Sequence, residues 1–216
     1  TNPGFPLGPV GILQAGGALR GDYKLGDGRV TLGFEGGIAS GDPAPGFGNY
    51  PGRTVCAYKV DASNKPYVDC TPQQPGNIDG RQYGYGDANP SWNNYRFNPA
   101  YRVDLILWRE LIGGVTDGWY VKPTLRWEIL PGLVGTAQVV YSQALLASST
   151  PSAEHTPLGV EADLGLVYGS DDGFVARIEY GYLQPLDGMK FYHANAADEQ
   201  SLARGQALRA GLAVRF

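Results

Sequence analysis

Ala207-Leu-Arg-Ala-Gly-Leu-Ala-Val-Arg-Phe216 closes the chain by alternating two chemistries and stopping on an aromatic. In an extended strand successive side chains point to opposite faces. Leu208, Ala210, Leu212, Val214 and Phe216 then share an apolar side, backed by Arg209, Gly211, Ala213 and Arg215. In a soluble sandwich the charged side would meet water and the apolar side a core. Here the pattern recurs along the chain in segments long enough to cross a bilayer. The expectation is an all-β fold, an antiparallel transmembrane β-barrel with seven or eight strands in this chain. The chain is read as the C-terminal part of a larger barrel or one chain of a barrel made from several, with a closed eight-stranded barrel as the alternative.

Working outward, the cleanest segment is Gly118–Leu130, where Tyr120, Lys122, Thr124, Arg126 and Glu128 alternate with Val121, Pro123, Leu125, Trp127 and Ile129. Comparable alternation runs over Val10–Leu25, Arg29–Ser40, Leu133–Leu146, Leu158–Tyr168 and Phe174–Leu186. Each segment reaches or exceeds the roughly 9–11 residues that span a membrane as a tilted strand. Strands of soluble sheets are nearer 5–6 residues. Tyr, Trp and Phe near segment ends suit an aromatic girdle. Tight turns are expected at 26–28, 131–132 and 169–173, and long connections at 41–117, 147–157 and 187–205. Outer-membrane barrels show this alternation of short turns with long external loops.

Composition agrees. The 216 residues suit one domain, taken here as 1–216 with a long external loop at about 41–117. Charged residues make up 18%, Gly numbers 32 and Tyr 14, against roughly 25% charge in an ordinary soluble domain. Mean hydropathy is −0.24, which excludes a helical membrane protein but not a barrel with a polar lumen. A net charge of −4 gives no electrostatic reason to propose nucleic-acid binding. The opening Thr1-Asn-Pro-Gly-Phe-Pro is turn chemistry rather than a signal peptide, as expected of a processed chain or a fragment.

Seven segments is an odd count where bacterial barrels are even. The candidate eighth, Tyr101–Ile112, would point Arg109 at lipid if it were a strand. Read helically, it aligns Leu105, Trp108 and Ile112. It is therefore assigned to the external loop, folded into or over the lumen. Cys56 and Cys70 lie in the same loop, and an even pair there predicts a disulfide and an oxidising compartment.

The stretch Phe34-Glu-Gly-Gly-Ile-Ala-Ser40-Gly41-Asp42, then Phe97-Asn98-Pro99-Ala100-Tyr101, then a strand with Lys122-Pro123, resembles the alginate-export family and related porin-like outer-membrane barrels. The match covers roughly residues 34–130. The resemblance implies a passive conduit with an ordered loop folded into the pore. The chain departs from that family in being much shorter and in a lumen that is not overwhelmingly basic, so alginate is not carried over as substrate.

On the polar side, Arg20, Lys24, Arg29, Lys122, Arg126, Arg177, Arg209 and Arg215 face Asp22, Glu35, Glu128, Glu161, Asp163 and Glu179. In a narrow barrel these would pair into a salt-bridged plug. In a wider one they would line water, with a basic excess that favours anions. Glu161 and Asp163 share a side and resemble an acid/base pair, but ion pairing with neighbouring arginines is the expectation. His155 and His193, with Ser149, Ser152 and Ser201 nearby in sequence, match no hydrolase motif. Neither catalytic residues, metal ligands nor cofactors are expected. The leading function is an outer-membrane channel of a Gram-negative bacterium for small or anionic polar solutes. The alternative is a structural barrel that anchors surface proteins or other barrel chains through its long loop. Expected partners are membrane lipid and, through the Phe216 strand, the barrel-assembly machinery.

Overall fold

A computed structural model describes residues 11–42, 47, 54–60, 63, 66–72, 91–152, 154–192 and 199–214; for 11, 54–60, 66–72, 91–92, 191–192 and 199–200 it describes the backbone alone. In chain order the strands are β1 (Gly11–Ile12), β2 (Gly16–Leu25), β3 (Val30–Ala39), β4 (Thr54–Val60), β5 (Pro66–Pro72), β6 (Ser91–Trp92), β7 (Gly118–Leu130), β8 (Leu133–Ala144), β9 (Pro157–Gly169), β10 (Phe174–Pro185), β11 (Phe191–Tyr192), β12 (Glu199–Gln200) and β13 (Gly205–Val214).

Seven of these form one antiparallel sheet in the order β13-β10-β9-β8-β7-β3-β2. Its strands are 10 to 13 residues long, as the alternation predicts. The sheet is not closed into a barrel: β2 and β13 are edges that do not pair with each other. The antiparallel pairings between them leave both edges pointing the same way. Short turns gather at one end of the sheet and all the long connections at the other.

Register explains how the two faces separate. Tyr23, Leu32, Leu125, Ala137, Leu164, Tyr180 and Leu208 form one continuous row across all seven strands. The next residue along each strand gives Lys24, Thr31, Arg126, Thr136, Gly165, Glu179 and Arg209 on the opposite face. A strand period of two produces this interleaving. The apolar row is uncovered: Leu208 is 70% exposed, Leu164 56% and Leu32 46%.

The buried core lies on the other side. Phe97, Val103, Leu105, Leu107, Trp108, Ile112 and Val115 from the 93–117 segment pack with Tyr120, Val140, Leu158 and Leu183 at the long-connection end. Residues 107–112 form a wide helical turn in which the Leu111 N–H reaches the Ile106 carbonyl five residues back. Gly113 ends it at φ +85°, in the left-handed region that favours glycine. Tyr101–Ile112 is therefore not an eighth strand. Among the described residues no helix is long and apolar enough to cross a membrane.

Two expectations are corrected. The first segment does not run unbroken from its start. Gly11–Ile12 pairs in parallel with Ser91–Trp92, and residues 13–15 leave the ladder because side chains replace a strand partner. Leu13 N–H bonds Asn93 Oδ1, and Ala15 N–H bonds Ser40 Oγ. Arg29 sits in the tight turn, paired with Asp27 at 3.2 Å, rather than on the polar wall. The long connection at 41–117 contains the β4–β5 hairpin. Arg215, Phe216 and His193 lie outside the described residues.

Candidate functional site

The segment 93–117 forms a strap laid across the polar face, and its path can be followed strand by strand. At β3 the Tyr101 hydroxyl donates to Glu35 Oε1 at 2.9 Å, and Tyr120 donates to the same oxygen at 2.7 Å. Lys122 on β7 holds Glu35 Oε2 at 3.1 Å and donates to the Val103 carbonyl at 3.3 Å. At β9 the Glu161 carboxylate receives three backbone N–H groups, from Leu105 (2.9 Å), Ile106 (2.7 Å) and Leu107 (2.9 Å). At β13 Arg209 donates to the Leu105 carbonyl at 3.0 Å and to Glu110 at 2.5 Å. Trp108 is 1% exposed, and its indole N–H donates to Ser142 Oγ at 2.8 Å.

The sequence explains the shape of the strap. Asn98 begins a turn: its side-chain oxygen takes the Ala100 N–H at 2.8 Å and its carbonyl takes the Tyr101 N–H at 2.8 Å. Pro99 suits the second position of such a turn. Phe97 is buried edge-on against Tyr95 and Tyr101, with ring centroids 5.8 and 5.4 Å apart. The Phe97–Tyr101 motif thus aims the Tyr101 hydroxyl at Glu35. Beyond it, Asp104 accepts the N–H groups of Trp108 and Arg109, at 3.0 and 3.1 Å, and so satisfies donors of the first turn that have no partner within the helix.

Ser40-Gly41-Asp42 holds the root of the strap. The Ser40 carbonyl takes N–H groups from Tyr95 and Asp117, and its hydroxyl donates to the Asn93 carbonyl at 2.6 Å. Asp42 takes the Asn93 N–H at 3.2 Å. Gly41 has no side chain because the Asp117 carboxylate fills the place where a Cβ would stand. Asp117 is fully buried and holds φ at +43°, a conformation that costs a non-glycine residue energy. Burial pushes its carboxyl up to about 7, against hydrogen bonds from Ser149 and the Leu146 N–H, with the charge of Asp42 adding to the rise.

Glu161 and Asp163 do share a face, as the spacing indicates, but they do not pair with arginines. Glu161 serves backbone donors and Asp163 takes Gln138 Nε2 at 2.8 Å. Lys122, Glu35, Glu161 and Asp163 lie beneath the strap. Arg20, Asp22, Arg126 and Lys122 line a cleft of about 90 Å³ beside it, with Thr31, Thr124, Thr136 and Gln138. Arg20 pairs with Asp22 at 3.4 Å and Arg177 with Glu179 at 3.5 Å. Lys24 is exposed on β2 and Glu128 near the Pro131 turn. His155 is exposed. Ser152 engages its backbone N–H (2.9 Å), and Ser149 bonds Asp117. The side chains of Cys56 and Cys70 lie outside the described residues, but their backbones stand directly opposite each other in the β4–β5 hairpin.

No signal in the sequence marks the donors of 105–107, because backbone N–H groups carry no residue identity. No protein-family model, curated protein or solved structure matches the chain.

Proposed function

We propose that the seven-stranded sheet is wall of an outer-membrane β-barrel conduit, porin-like or export-like, for small or anionic polar solutes. The observation that carries this reading is the placement of the core. The strap and its buried side chains occupy the polar face, while an apolar row across seven strands, Tyr or Leu on every strand but β8, faces outward on the other. Exposed apolar patches of that extent mark a surface meant for another phase or partner. Hydrocarbon suits strands of 10 to 13 residues. Trp119 and Tyr141, packed 5.5 Å apart at the long-connection end, and Trp127, Tyr168 and Phe174 toward the turns supply aromatic belts. The polar face then lines water, with the strap narrowing the lumen and Arg20, Lys24 and Arg126 narrowly outnumbering Asp22 and Glu128 on its free half. Gram-negative origin and the alginate-export likeness are parts of the same proposal, resting on the alternation and on the Ser40–Asp42 and Phe97–Tyr101 motifs.

Planar-bilayer recording with the purified full chain tests it. Discrete conductance steps with a bias toward anions are the expected result. A folded, membrane-inserted protein that passes no current and no solute would overturn it. That outcome would favour the second reading, a plugged barrel that anchors partners through 41–117, for which the tight packing of Trp108 against Ser142 speaks.

A further inference from the structure

We infer that the strap is a proton-controlled gate, docked across the lumenal wall while Asp104 and Asp163, buried beside Glu161, hold protons and released as they lose them. This rests on the channel reading above. All three carboxyl groups are buried in the seam between the strap and β9, none more than 4% exposed. Their charge is poorly matched by cations. Lys122 is the buried ammonium of the seam, and it is already held by Glu35 at 3.1 Å. Arg209 on β13 reaches the strap but is shared with Glu110. Arg109 belongs to the helical turn and also lies beside Glu110, at 3.7 Å, while Arg102 is exposed. Glu179 on β10 adds negative charge from the far side. Tyr101 and Tyr120 are already donating to Glu35.

Geometry shows where a proton belongs. Among the described residues Asp163 Oδ1 has no N–H or O–H donor. The Glu161 carboxyl is beside it, and two carboxyls bond only when one carries the proton. Burial lifts the strap's own Asp104 to about 7; backbone donors and Lys122 oppose the rise, and the charge of Asp163 adds to it. Released into water, Asp104 returns to about 3.9. The docked state therefore binds more protons between these limits. Docking is strongest below about pH 4 and weakens by up to about tenfold per pH unit per proton until about pH 7. Alkali opens the gate and acid closes it.

The test is hydrogen exchange of the 103–112 backbone in the full chain in lipid, corrected for intrinsic rates, with β9 and β10 as internal reference. Protection is expected to fall at least about tenfold between about pH 5 and about pH 7.5, while the reference strands hold. Asp104→Asn keeps the acceptor and removes the charge, so the variant should stay protected at the higher pH; Asp163→Asn gives a second, independent check. Equal protection at both pH values in the unmodified protein would overturn the gate, as would variants that open with pH like the parent. Current recorded on the same preparations separates the two ideas. A pH-dependent strap in a protein that never conducts removes the channel and keeps the proton linkage. Steady conductance with a pH-independent strap removes the gate alone.

Discussion

Glu161 shows how much one side chain can do when it answers backbone instead of another side chain. Three N–H groups of the strap end on its carboxylate, and nothing else described offers them acceptors. Glu161→Leu preserves bulk and deletes all three acceptors, leaving buried donors that cost about 1–3 kcal/mol each. The expected outcome is a strap that exchanges freely at every pH and a larger single-channel conductance, with the sheet intact. Asp104→Asn should act in the opposite direction, which separates loss of an anchor from loss of a charge. The alternation placed Glu161 and Asp163 on the correct face. It could not find their partners, because a glutamate that binds main chain and one that binds arginine look the same in sequence.

Elements were more legible than residues. Gly118–Leu130 begins and ends where its alternation does, because a lone face switch per residue has no helical reading. The first segment shows no break in sequence because Ile12 and Gln14 keep the alternation, while the Leu13 and Ala15 N–H groups bond the Asn93 and Ser40 side chains instead of a strand. The β4–β5 hairpin carries no strand signal, since Thr54–Val60 and Pro66–Pro72 lie within turn-rich composition and lack two distinct faces. That hairpin carries the cysteine expectation. Directly opposed residues of an antiparallel pair have Cα atoms about 4.5–5.5 Å apart, inside the range a disulfide bridges. In material from an oxidising compartment, neither Cys56 nor Cys70 is expected to react with an alkylating reagent until a reductant is added, by peptide mass mapping. Alkylation of both without reductant would refute the bridge.

For the whole molecule the deciding question is what covers the outer rows. Leu164 lies mid-strand in the row that runs from Tyr23 to Leu208. An arginine there, facing hydrocarbon, costs about 2–4 kcal/mol near the bilayer midplane. Leu164→Arg should therefore reduce the folded fraction in lipid vesicles by an order of magnitude or more, as read by heat-modifiable gel mobility, while Thr136→Arg on the polar face leaves it near the parental value. Equal folding of the two variants would show that lipid is not the covering phase. Charge placement was readable here from period alone, whereas closure was not, since pairing between distant ends leaves no local trace.

The shared direction of β2 and β13 limits how a cylinder can be completed. Joining these edges directly, within one molecule or between successive copies in a ring, makes a seam of parallel neighbours at every junction. A wall whose neighbours all run in opposite directions must instead insert an odd number of strands between those margins.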